Sequence, residues 1–283
     1  MKTVIAWAWW LWVWPWGVLP AMGAGDGEFP FPLTVARAEA PNLLRNPGFE
    51  HGNPKPDGWS FGGSAGFGTS AGLTNNARSG AVAAWVRGKS DWPAYWTQSI
   101  PVREGMCYYA ALYTKFHLSS GYAGLRVYTN QYADPGSWTN RTSHTDVRAY
   151  YEEGQGQGLE DFLDPRYLNQ VKPDQWNLHE LEFVVPAGKK ITHYILWAGQ
   201  YGIGETLLDD AYLGEAAFAL TGTMTGSGLK TLRVVDAKGQ QHLKLPLKAD
   251  ATAHTFQVTL PSRLSRYFLD VTDSHGKSWR KSL

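Results

Sequence analysis

Cysteine is almost missing from this chain of 283 residues: Cys107 stands alone. A single thiol excludes an intrachain disulfide and any thiolate metal cluster, and Cys107 reads as a small buried core residue. An excess of charge of one sign is missing too. Lys and Arg total 26, Asp and Glu 25, for a net charge of +1. Nothing electrostatic therefore favours nucleic acid or an anionic membrane surface. Helical periodicity is absent almost everywhere. No apolar run reaches the roughly 20 residues of a membrane span without internal prolines. Present instead are 31 Gly, 14 Tyr and 14 Trp, with 43% apolar residues overall. That mixture suits strands and turns with a sizeable core better than helices.

Six of the tryptophans lie in the first 16 positions. Lys2 is followed by an uncharged run from Thr3 to Gly25, centred on Val4–Trp14 and broken by Pro15, Gly17 and Pro20. A lone cation, a short apolar core and a helix-breaking exit describe a secretory signal. Candidate cleavage sites are Ala21-Met22-Gly23 and Ala36-Arg37-Ala38. Residues 1–40 therefore read as signal peptide and linker, and the protein as secreted or on the cell surface. An uncleaved N-terminal anchor is the alternative.

Between Pro41 and Ala216, strand-like runs recur between turn clusters: Ala81–Arg87, Ala94–Pro101, Cys107–Phe116, Gly124–Thr129, Leu178–Val185, Ile191–Ala198 and Thr206–Leu213. This spacing predicts an antiparallel sandwich rather than βαβ units. Successive side chains of a strand point to opposite faces. Val82, Ala84, Val86, Tyr108, Ala110, Leu112, Leu125 and Val127 are expected in the core. Trp85, Arg87, Tyr109, Tyr113, Arg126 and Tyr128 then turn outward. A pyranose has an apolar C–H face for an aromatic ring and a hydroxyl rim for Arg, so these six are candidate ligand-binding residues. Outward aromatics are also ordinary β-formers that pair across strands. Trp92, Tyr95 and Trp96 form a second aromatic cluster beside a loop, and Trp92 and Trp138 are the loop candidates for the same role.

Two phrases frame this region. The first is Asn42-Leu43-Leu44-Arg45-Asn46-Pro47-Gly48-Phe49-Glu50-His51-Gly52; the second is Thr206-Leu207-Leu208-Asp209-Asp210-Ala211-Tyr212-Leu213. They resemble the opening and closing strands of secreted carbohydrate-binding modules of the family 4/9/22 type, which share a galactose-binding-like jelly roll. The resemblance covers about residues 42–215. It implies a structural calcium held by Glu50 and Asp209, with carbonyls from Ala77-Arg78-Ser79-Gly80. Oxygen-rich ligation of that kind suits calcium. It also implies that Trp59 and Trp176 pack structurally, that Gln98 is a polar family position, and that sugar is bound on a sheet face or on the loop rim.

The segment 130–175 departs from that pattern and is long for a connection. Its acids could serve a glycosidase, which needs two carboxylates about 5–10 Å apart, but Glu152-Glu153 runs into a glycine-rich loop. A rim that shapes ligand choice is the expectation. Asn140-Arg141-Thr142 is a glycosylation sequon, meaningful only in a eukaryotic secretory route. Residues 217–283 read as a small immunoglobulin-like sandwich with Asp-x-x-Gly turns at Asp236 and Asp273, loosely similar to bacterial secretion-sorting domains.

The sequence thus predicts an all-β protein, a jelly roll over 41–216 followed by a small β-sandwich. Its expected function is non-catalytic binding of a polysaccharide or oligosaccharide, with a structural Ca2+. A polysaccharide lyase or glycosidase on the same sandwich, and a structural or adhesive surface protein, are the competing readings.

Overall fold

The computed structural model describes residues 29–63, 65–90, 92–132, 141–150, 172–185, 187–188 and 191–283, with the backbone alone for 128–132 and 141–150. Its regular structure is strand throughout, apart from one 3-10 turn at Ala65–Phe67. Strand β1 is Leu33–Glu39. Then come β2 (Ser60–Gly62), β3 (Ser70–Thr74), β4 (Ala83–Gly88), β5 (Pro93–Pro101) and β6 (Cys107–Leu118). They are followed by β7 (Tyr122–Tyr132), β8 (Arg141–Tyr150), β9 (Asn177–Val184), β10 (His193–Tyr201) and β11 (Gly204–Glu215). The chain ends with β12 (Phe218–Thr225), β13 (Leu229–Asp236), β14 (Gln241–Pro246), β15 (Ala253–Leu260), β16 (Tyr267–Asp273) and β17 (Ser278–Ser282). Every pairing is antiparallel.

Strands β2 to β11 build two five-stranded sheets, in the orders β2-β5-β10-β7-β8 and β3-β4-β11-β6-β9. Alternation along each strand sends one set of side chains into a shared core. Ala84, Val86, Tyr108, Ala110, Leu112, Leu125 and Val127 are buried there, as expected from sequence. Val82 instead lies just before β4 and is half-buried. Trp59 is buried against Phe49, ring centroids 4.8 Å apart, while Trp176 is half-buried. The segment expected as a loop rim holds β8, which extends the first sheet beyond β7. The remainder of 130–175 up to 171, with Trp138 and Asn140, lies outside the described residues.

A second core joins the sheet β1-β12-β15 to the sheet β14-β13-β16-β17. Strand β1 lies in the segment expected as linker. It pairs with β12 from Leu33↔Met224 to Glu39↔Phe218, and Phe29, Phe31 and Leu33 pack on this second core. The reason is local: Leu33-Thr34-Val35-Ala36 is good strand sequence, and Phe31 finds the edge of Trp279 at 5.0 Å. The two Asp-x-x-Gly turns form as expected. Asp236 Oδ1 accepts from the Lys238 and Gln240 amides, and Asp273 Oδ1 from those of His275 and Lys277. Both turns need the positive φ of a glycine, Gly239 at 83° and Gly276 at 85°.

The two sandwiches touch through β6, β9 and β11. Arg263 is nearly buried there, its side chain 4% exposed. Its guanidinium lies over Tyr109 and Tyr212 and pairs with Glu39 at 3.1 Å. Glu182 accepts from the Ser262 hydroxyl and from the Arg263 and Leu264 amides.

Candidate functional site

The outward residues expected to bind ligand do not share one face. Trp85, Arg87, Tyr109 and Tyr113 belong to the sheet β3-β4-β11-β6-β9, whereas Arg126 and Tyr128 belong to β7 in the other sheet. The alternation placed Ala84, Val86, Tyr108, Ala110, Leu112, Leu125 and Val127 in the core as expected, but period-2 patterning says nothing about which sheet a strand joins.

On the first of these faces the candidates are engaged within the molecule. The Trp85 indole N–H donates to the Leu73 carbonyl at 3.2 Å, and Gly72 leaves room for its ring. Arg87 pairs with Glu205 across the strand and sits 5.3 Å from the Trp85 ring. Tyr113 is capped by the Arg78 guanidinium at 3.5 Å, itself paired with Asp210. Tyr109 is buried where the sandwiches meet and donates to Glu180. Burial pushes its phenol pKa up, and the Glu180 hydrogen bond adds to that.

The opposite face, over β2-β5-β10-β7, is organised differently. Register places side chains in rows across the strands. One row is Pro93, Tyr201 and Tyr122; the next is Gly62, Tyr95, Gly199 and Gly124; the third is Ser60, Thr97, Trp197 and Arg126. The glycine row makes a trough. A Cβ on Gly62 would lie 2.1 Å from the Tyr95 ring, so the tyrosine lies over that position, and a Cβ on Gly199 would meet the Ala94 carbonyl oxygen at 2.3 Å. Rings then follow one another: Tyr95 to Trp197 at 5.3 Å, Trp197 to Tyr201 at 5.8 Å, Tyr201 to Tyr122 at 5.0 Å. Trp197 is the floor, 4% exposed, while Tyr95, Tyr201 and Tyr122 are partly buried around it. Among the described side chains of this face none is a carboxylate. Tyr128 falls in the following row, opposite Ile195.

The loop candidate Trp92 lies just before β5. It stacks on Phe67 with centroids 4.3 Å apart and planes 15° apart, and both rings are about half exposed. Sequence reading did not select Trp197, Tyr201 and Tyr122 for the site. Their signal was available in the alternation Ile195, Trp197, Gly199, Tyr201 against Tyr194, Leu196, Ala198, Gln200.

Glu50 and Asp209 face the loop 78–82 from the two signature phrases. Glu50 accepts from the Ala81 and Val82 amides at 3.1–3.2 Å. Asp209 accepts from Arg78 at 2.8 Å, Ser79 at 3.1 Å and Asp210 at 2.8 Å. Gly80 is required there, since a Cβ would fall 1.8 Å from a Glu50 oxygen. Burial raises the Asp209 pKa, against the lowering effect of those amides. Amide hydrogens aimed at the carboxylates are the reverse of a calcium cage, which needs many oxygens. Among the described residues no group of three His, Cys, Asp or Glu side chains is placed to hold a metal. The donor set therefore fits calcium poorly.

No protein-family model and no curated protein matches the chain. Solved structures do show similarity. A family 16 carbohydrate-binding module is 17% identical with a TM-score of 0.39, over 62% of this chain and 100% of that one. The C-terminal family 22 carbohydrate-binding module of a Clostridium thermocellum protein is 14% identical with a TM-score of 0.41, over 59% and 89%. A cyclase from Fischerella sp. TAU is 13% identical with a TM-score of 0.43, over 62% and 96%.

Proposed function

We propose that the protein binds a polysaccharide or oligosaccharide on the outward face of the sheet β2-β5-β10-β7-β8, without transforming it. The observation that carries this reading is the ring series Tyr95, Trp197, Tyr201, Tyr122, set beside a row of glycines and bordered by Thr97 and Arg126. The partly exposed rings offer flat apolar surface to pyranose C–H groups, and polar neighbours meet the hydroxyls. The same reading puts the protein outside the cell, where the signal-like N-terminus would deliver it. Among the described residues no helix is long and apolar enough to cross a membrane.

Affinity electrophoresis against a panel of soluble glycans tests the proposal. Retardation by at least one glycan is expected. Tyr95→Ala or Tyr201→Ala is expected to weaken it about tenfold, the scale of one lost ring contact. Trp85→Ala and Tyr113→Ala should leave it unchanged. The reverse pattern would move the site to the other sheet, and no retardation by any glycan would sink the binding reading.

A further inference from the structure

Beside the ring series the same face opens into a depression of about 510 Å³, within the roughly 300–1,000 Å³ range of ligand pockets. Its polar lining is Arg45, Ser60, Thr97 and Ser99, with Leu43 and Ile195 as apolar walls. Ser60 and Thr97 stand in the same row as Trp197, so a chain lying on the rings continues into this pocket.

Arg45 is placed with care. The Gln98 side chain, itself 7% exposed, accepts from the Arg45 amide at 2.7 Å and donates to the Arg45 carbonyl at 3.0 Å. Both ends of one buried amide therefore hold a single exposed residue. On the other side Gly58, at φ 80°, makes room for the arginine stem; a Cβ there would lie 3.0 Å from Arg45 Cβ. Among the described residues no carboxylate lines the pocket and none pairs with Arg45. Elsewhere Arg78, Arg87, Arg103, Arg263 and Arg280 each have an acidic partner. An arginine held at its backbone, without an acidic partner among the described residues and lining a pocket with Ser60, Thr97 and Ser99, is a ready partner for an oxyanion.

We infer that this pocket takes an anionic substituent of the bound glycan, a uronic-acid carboxylate or a sulfate ester, with Arg45 as its counter-charge. The inference rests on the sheet face being the glycan site. It concerns a local charge, because the net charge of +1 gives the whole molecule no general attraction for polyanions.

The test pairs polymers that differ only in charge: polygalacturonate, alginate and glucuronoxylan, each with its carboxyl-reduced derivative, and a sulfated galactan with its desulfated form. Binding is measured by calorimetry with wild type, Arg45→Gln and Arg45→Lys. At least one anionic polymer should bind about tenfold more tightly than its neutral counterpart, and the gap should narrow as salt rises. Arg45→Gln should erase that gap, while Arg45→Lys keeps part of it. Which pair shows the gap separates carboxylate from sulfate. Equal binding of charged and neutral forms, or a gap that survives Arg45→Gln in a variant with an unchanged melt, overturns the inference and spares the sheet-face reading. Absence of binding to every polymer overturns both.

Discussion

His179 is a buried histidine. It is 1% exposed on the core side of β9, and its Nε2 lies 2.7 Å from the Thr114 hydroxyl. Burial lowers its pKa to about 4, against about 6.5 in an unfolded chain. The unfolded chain therefore binds the extra proton first as pH falls. Stability from the neutral imidazole is complete above about pH 6.5 and drains away between 6.5 and 4, by about 3 kcal/mol. Denaturant melts across that range should show the loss, and His179→Gln should flatten the pH dependence. A wild-type midpoint that does not move between pH 7 and pH 4 would contradict this. Other single residues were partly legible before the structure. Trp59 in Asp57-Gly58-Trp59 packs as the family resemblance implied. Tyr109 did not declare itself, because what buries it is Arg263, 154 positions away in the chain, in the other sandwich.

At the scale of elements, the two signature phrases act through backbone. Asn46 and Phe49 in the first, and Asp210 in the second, adopt positive φ at 48°, 58° and 48°. Left-handed geometry in a non-glycine residue costs on the order of 1–3 kcal/mol and persists where the surroundings hold it. Phe49 is fully buried, and Asp210 sits where the β6–β11 register slips between Asp209 and Tyr212. Glu50 and Asp209 then fasten the 78–82 loop by its amides. We propose that this clamp works without calcium. A thermal melt should keep its midpoint when a chelator is added, and Glu50→Gln or Asp209→Asn should lower it by about 1–2 kcal/mol of stability. A midpoint that falls with chelator and recovers with calcium would restore the metal expected from the family resemblance. The strand runs themselves were readable from alternation to within a few residues. Strands β2 and β3 were not, being three and five residues long with little apolar pattern of their own. Strand β8 was hidden in a polar stretch whose partner, β7, supplies the order.

At the scale of the molecule, the described residues begin and end in the small sandwich. Strand β1 belongs to that unit although the jelly roll separates it from β12. A protein begun at Pro41 should therefore lose Phe29, Phe31 and Leu33 from the second core and melt that unit at lower temperature, while the ring face still binds glycan. Cleavage at Ala36-Arg37-Ala38 would have the same effect, so the mature N-terminus is expected before Phe29. Mass spectrometry of the secreted protein reads it directly, and a chain starting at Glu39 would refute the expectation. The pairing Glu39↔Phe218 has one more consequence. Those two residues close an antiparallel pair, and the jelly roll stands where a short turn would do. It is thus attached by two covalent crossings with Arg263 beside both, reaching the carbonyls of Ala40 and Glu215. A module on one flexible linker swivels freely; this one is gimballed. If the ring face is the glycan site proposed above, whatever surface holds the small sandwich also sets the direction in which that face points.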